Sequence, residues 1–217
     1  MLSLKGKGVC GGVTLGTLAV LHREAAAVKR RKVLDAEAEV TRFQAARQEA
    51  IAKLTVLYEK AVVDVGRDNA AIFEIHQMML EDLDYIESIE GIIRTQHVNA
   101  EYAVQTTAAN FAEIFSSVED DYMRARAADV KDISRKVLDC LGDGGSSWES
   151  GEGSYILAAD DLAPSETVQL DKARVQGFVT AAGSVNSHTA ILARTIGIPA
   201  VVSTGSSIGE EYDGKLI

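Results

Sequence analysis

The sequence is poor in several residues that would mark out particular kinds of protein. It has only two cysteines, Cys10 and Cys140, far apart and without metal-ligand spacing. That argues against a disulfide framework or a thiolate metal site, and both read as reduced structural thiols. No apolar run is long enough to span a bilayer, and the opening MLSLKGKGVCGG lacks the apolar core of a signal peptide. A cytoplasmic protein without membrane association is therefore expected. Basic charge is in deficit, with 22 Lys and Arg against 32 Asp and Glu, which speaks against nucleic acid as a partner. Only two prolines occur, Pro164 and Pro199, so none interrupts the long middle of the chain.

What is present is enough to fold. A chain of 217 residues that is 47% hydrophobic can bury a core, as one large domain or two small ones. The net charge of −10 is unevenly placed, because all the excess lies between Asp68 and Asp143 and the remainder is neutral. Such a block reads either as solvated helix faces or as a docking surface for a basic partner.

Three segments follow from the pattern. Residues 1–28 hold GVCGGVTLGTLAVL, β-branched and apolar residues broken by glycines, which predicts short strands and turns. From Val33 to Leu141 the period is helical. Val40, Phe43, Ala50, Leu54, Leu57 and Ala61 mark a first helix that Gly66 stops. Ile72, Phe73, Met79, Leu80 and Leu83 mark a second, and Ile86, Ile89 and Ile93 a third or a bent continuation. Asn99 is placed to cap a fourth, with Val104, Ala108, Phe111, Phe115 and Val118 on one face. Val130, Ile133, Val137, Leu138 and Leu141 line a fifth, ended by Gly142. Long amphipathic helices with short links predict an up-and-down bundle. After the Gly/Ser-rich connector 143–154, YILAA, GFVTA and PAVV read as buried strands, with SETVQL and HTAILARTI as helices between them. The N-terminal strands have no partner in the helical stretch. The expected architecture is therefore an α/β subdomain of residues 1–28 and 143–217, with an all-α subdomain, 29–142, inserted in it.

One histidine stands where chemistry is plausible. In VNSHTAILARTIGIP, Asn186 or Ser187 can cap a helix, Gly197 can end it and Pro199 stops its continuation. His188 then falls in the first turn, where free N–H groups and the helix dipole favour an anion and a neutral imidazole. A phosphoryl group on the ring would be held as phosphates are held at helix N-termini. On composition alone, a polar residue in the first turn of a surface helix is the better description. His76, at helical spacing from Ile72, Met79 and Leu80, reads as a bundle-packing residue, and His22 and His97 belong to no motif.

Residues 183–202 resemble the phosphohistidine motif of Enzyme I of the bacterial sugar phosphotransferase system, G-G-x-T-S-H-x-A-I-x-A-R followed by G-I-P-A-V. LAADDLAPSETVQL (157–170), AIFEIHQMMLEDLD (71–84) and RARAADVKDISRKVL (124–138) resemble three further signatures of that family in the same order. Two positions depart from the pattern: Ser184 replaces the second glycine and Asn186 the threonine. Asn caps a helix as well as Thr, whereas Ser184 costs backbone freedom beside the phosphate.

The resemblance implies a phosphohistidine swivelling α/β subdomain with a carrier-docking helical insertion. It makes His188 the group that takes a phosphoryl from phosphoenolpyruvate and passes it to a histidine-containing phosphocarrier protein. Thr167 matches the family's hydroxyl partner of that imidazole, and Ser187 either donates to the phosphate or caps the helix. Arg194, roughly opposite His188 on its helix, reads as a structural salt bridge. Asp68, Glu74, Asp82 and Asp84 around Met78, Met79 and Tyr85 would form the patch for the basic carrier, joined by Arg126. The phosphoenolpyruvate site and its Mg2+ ligands belong, in that family, to a C-terminal barrel that this sequence does not contain. No cofactor is therefore expected here, and the chain, ending at EEYDGKLI inside a strand, is expected not to charge itself. The alternatives are the phosphohistidine domain of a dikinase or phosphoenolpyruvate synthase, a nitrogen or dihydroxyacetone paralogue of Enzyme I, and a non-catalytic module with an inert His188.

Overall fold

The computed structural model describes residues 3–21, 28–142, 153–206 and 208–217. In chain order its elements are β1 (Lys7–Cys10), β2 (Thr17–Leu21), α1 (Ala36–Val65), α2 (Arg67–Glu81), α3 (Leu83–Gln96), α4 (Ala100–Ser117) and α5 (Asp121–Leu141). They are followed by β3 (Tyr155–Ala159), α6 (Pro164–Gln169), β4 (Val175–Thr180), α7 (His188–Ile196), β5 (Ala200–Val202) and a 3-10 turn over Glu210–Tyr212. Two compact units result. One comprises Met1–Glu24, Lys60–Asn69 and Ser147–Ile217, the other Ala25–Glu59 and Ala70–Ser146.

The first unit is built on one five-stranded sheet, ordered β1-β5-β4-β3-β2. β2, β3, β4 and β5 run parallel, and β1 joins β5 antiparallel. The N-terminal strands thus find their partners across the helical stretch, as their lack of nearer ones implied. Side chains alternate between faces. Tyr155, Leu157, Ala159, Phe178 and Ala200 pack on one side with Leu192 and Ala193 of α7, and Leu18, Val20, Ile156 and Ala158 fill the other with Ile208 and Tyr212. β3 is buried along its whole length, the usual state of a parallel strand covered on both faces.

Periodicity assigned residues 60–69 to the helices alone. The structure places them with the sheet, because Val65 packs on its core and Asp64 pairs with Lys172 at 2.6 Å. The last residues are not a continuous strand. They make the 3-10 turn and then a single bridge, Thr17 to Leu216.

In the second unit three helix starts, those of α1, α3 and α5, have a local cause. Asp35 accepts from the N–H groups of Glu37 and Ala38, and Asp120 caps Met123 at 3.0 Å. Asp82, with extended backbone, accepts from Tyr85 N–H at 3.2 Å. That cap breaks the chain between α2 and α3, so the third helix is separate and not a bent continuation. Asn99 does hold the N-cap position of α4, but its side chain makes no cap bond. It accepts from Arg31 N–H and donates to Glu101 instead, both at 2.7 Å. Glu101 is fully buried and also meets Arg42 and Arg31. Burial raises its pKa, but the hydrogen bonds from Arg42 and Asn99 outweigh this and hold it below its ordinary value.

Candidate functional site

The chain leaves β4 at Thr180, crosses residues 181–187 and enters α7 at His188. Gly183 has φ +87, a conformation side chains avoid, and three oxygens (Asp161 Oδ1, Thr180 Oγ1 and Ser187 Oγ) lie 3.4–3.6 Å from where its Cβ would be. Ser184, the next residue, shapes a tight turn. Its hydroxyl accepts from Asn186 N–H at 3.2 Å and its carbonyl from Ser187 N–H at 3.0 Å. This hydroxyl is the feature the sequence could only register as lost freedom.

Of the two possible caps, the structure selects Ser187. Its backbone is extended and its Oγ accepts from Ala190 N–H at 3.3 Å. Gly197, in the left-handed region, closes the helix onto Ala193. Thr189 and Ala190 are fully buried, which fixes the first turn against the sheet unit's core. His188 itself is half-buried and the amides of the first turn have no acceptor within the helix. In place of the expected structural salt bridge, Arg194 is held by a backbone carbonyl. Its guanidinium donates to the carbonyl of Val185 at 2.7 Å, following the backward lean of helical side chains. That bond went unread because a loop carbonyl leaves no trace in a residue pattern.

Beside α7 packs the short helix α6. Pro164 occupies its first turn, and Glu166 accepts from Ala163 N–H at 2.7 Å. The same turn buries Thr167, whose hydroxyl donates to Pro164 C=O at 2.8 Å. One hydroxyl has one proton, so Thr167 Oγ1 can offer a further neighbour only a lone pair.

Two family descriptions match this chain: "PEP-utilising enzyme, N-terminal" over residues 5–126 and "PEP-utilising enzyme, mobile domain" over 151–217. The chain belongs to the PEP-utilising enzymes. Among curated members, the phosphoenolpyruvate-protein phosphotransferase of Bacillus sp. (strain S) is 36% identical over 99% of this chain, which spans 37% of that protein. A solution structure of Enzyme I superposes with a TM-score of 0.75 at 31% identity, covering 99% of this chain and 88% of the other. The N-terminal domain of an Enzyme 1 described as nitrogen gives 0.66 at 25%, covering 99% and 93%. The resemblance to Enzyme I and the architecture expected from it, an α/β subdomain with an inserted helical one, are borne out.

Within this chain the candidate docking residues separate. Glu74, Asp82 and Asp84 are exposed on α2 and at the start of α3, next to exposed Met78 and Leu83. Leu83 is therefore not bundle core, and Met79 is half-buried. Asp68 is exposed but belongs to the sheet unit, in the first turn of α2. Tyr85 is not a surface residue at all. It is 2% exposed, stacks edge-on with Phe111 and shares a 2.8 Å hydrogen bond with Ser134, and burial raises its pKa. Arg126 is likewise largely withdrawn, its side chain 14% exposed and paired with Asp129 at 2.8 Å. His76 is buried within the helical unit, its Nε2 3.2 Å from Asp129 and its ring edge-on to Phe73. His97 ends α3 in the left-handed region, while His22 lies outside the described residues. Among the described residues no helix is long and apolar enough to cross a membrane, and no three His, Cys, Asp or Glu side chains converge to hold a metal ion.

Proposed function

We propose that His188 carries a phosphoryl group that originates from phosphoenolpyruvate and exchanges it with a histidine of a small basic phosphocarrier protein. The observation that carries this reading is the placement of a half-buried imidazole in the first turn of α7, capped by Ser187 and anchored by buried Thr189. The first-turn amides favour an anion on the ring, and the positive helix end favours the neutral, nucleophilic imidazole. A ring nitrogen of His188 attacks phosphorus with its lone pair. The P–N bond to the carrier breaks as the new one forms, and the carrier nitrogen keeps the bonding pair. Since one imidazole replaces another, no net proton transfer is required. Thr167, its proton committed to Pro164, would accept from the other ring N–H and so direct which nitrogen attacks. Ser187 is committed to the cap as acceptor, and its own proton remains for the phosphate.

For the carrier, the fitting surface on the helical unit is the corner of α2 and α3, with acidic Glu74, Asp82 and Asp84 around exposed Met78 and Leu83. Carboxylates steer a basic partner, and the apolar pair supplies area to bury. Incubation with phosphorylated carrier, read by intact mass, should add one acid-labile phosphoryl group. His188→Ala should abolish the gain. Phosphoryl retained in that variant would show that the acceptor lies elsewhere.

A further inference from the structure

The loop into α7 is held from a second place in the chain. On leaving β5 the backbone runs alongside residues 180–183. Ser203 N–H donates to Ala182 C=O at 3.2 Å, Thr204 N–H to Thr180 C=O at 3.1 Å and Gly205 N–H to Ala181 C=O at 3.0 Å. The Ser203 hydroxyl then reaches one residue further and donates to Gly183 C=O at 2.6 Å. Beyond it, Ser184 C=O is taken by Ser187 and Val185 C=O by Arg194. Every carbonyl from Thr180 to Val185 therefore has a donor, and the one at Gly183 is supplied by a side chain of another loop. Ser203 is also one of two non-glycine described residues with positive φ, at +56. Serine is not among the residues that favour that region. A strained backbone whose hydroxyl meets the loop of His188 is a feature with a cost and an evident use.

We infer that Ser203 is a positioning residue for phosphoryl transfer at His188, acting through the hydrogen bond of its hydroxyl to Gly183. This rests on the reading of His188 as the phosphoryl carrier. Gly183 has no side chain to restrict it, and Ser184, Val185 and Asn186 are all that separate it from the helix cap. Without the hydroxyl the carbonyl of Gly183 turns to water, the loop samples more conformations, and the imidazole is aligned for attack a smaller part of the time.

Two variants of the whole 217-residue chain test this, Ser203→Gly and Ser203→Ala. Both remove the hydroxyl, but glycine relieves the positive φ and alanine retains it. Transfer from phosphorylated carrier at saturation should slow about fivefold in both, the factor one neutral hydrogen bond is worth. The carrier concentration at half-maximal rate should not change, and Ser203→Gly should melt no lower than wild type. Amide exchange at 184–187 should quicken in both variants while the interior of α7 keeps its protection. Slowing in glycine alone would assign the effect to backbone freedom, and slowing in alanine alone to strain. Either result, or wild-type rates and exchange in both, overturns the role of the hydroxyl. If wild type itself takes no phosphoryl from the carrier, the functional reading fails, and the exchange measurement still decides whether Ser203 orders the loop.

Discussion

At Ser187 the cap and the proposed phosphate contact can be separated by one substitution. Ser187→Ala loses the bond to Ala190 N–H and should destabilise the sheet unit by about 1 kcal/mol. Ser187→Asp keeps a capping oxygen and suits the positive end of the helix, so the fold should melt at or above the wild-type temperature. Its carboxylate, however, stands next to the ring proposed to bear the phosphoryl group. Steady-state phosphorylation should fall at least tenfold, roughly 1.4 kcal/mol of like-charge repulsion. An Asp variant that is phosphorylated normally would mean that Ser187 does no more than cap. Arg194→Ala tests the other end of the same turn. Loss of its bond to Val185 C=O should cost about 1–2 kcal/mol in thermal or urea unfolding, since one partner is charged.

Elements with local causes were the ones legible in sequence. HTAILARTI becomes α7 over the same nine residues because Ser187, Gly197 and Pro199 are all written into the segment, and YILAA becomes β3 unchanged. Asn99 shows the limit. Its place at the helix start was legible, but its amide is used by Arg31 and Glu101, and a partner nearly seventy positions away leaves no mark on a period. Tyr85 failed for a related reason. Three positions past the Asp82 cap, beside two exposed acids, it has a docking residue's neighbours, yet the helix turns it inward to Ser134 and Phe111. The structure thus expects Tyr85→Phe to lower the stability of the helical unit by about 1–2 kcal/mol, since Ser134 is left buried without its partner. Carrier binding at a temperature where the variant is folded should be unchanged, and a loss there would return Tyr85 to the interface. α4 carries its own test in acid. The folded pKa of Glu101 is lowered, so the stability it contributes is complete above the ordinary carboxylate pKa. It is lost as pH falls through the lower folded value. Glu101→Gln should flatten that acid limb of unfolding monitored by circular dichroism, while lowering stability at neutral pH by about 1–3 kcal/mol.

For the whole molecule the charge distribution makes the clearest demand. All the excess negative charge lies between Asp68 and Asp143, and the exposed part of it at Asp82 and Asp84 flanks Leu83. Replacing both with Asn keeps the cap of α3, because Asn accepts from Tyr85 N–H as Asp does. Association with the carrier in low salt should slow, by no more than about 1 kcal/mol per residue in affinity, and the difference should vanish as salt rises. Equal association rates at low salt would make the acidic block a solubilising surface only. The same whole-chain view explains why Ser203 and residues 60–69 were illegible. Each owes its role to a segment distant in sequence, Gly183 in one case and the core around Val65 in the other.

The pairing of Leu21 with Ala159, in register along β2 and β3, also dictates an order of events in time. All of α1 to α5 lies between those strands. In the unfolded chain their meeting must close a very long loop before any contact repays it. The helices α4 and α5 adjoin in sequence and pack together, so the helical unit can gather itself first and shorten the excursion. Pulse-labelled refolding should therefore protect α4 and α5 amides before those of β3. A substitution that weakens the helical unit, such as Tyr85→Phe, should delay the sheet, whereas Ser187→Ala in the sheet unit should leave the helices forming on schedule. His188 would then be among the last parts of the chain to take its place.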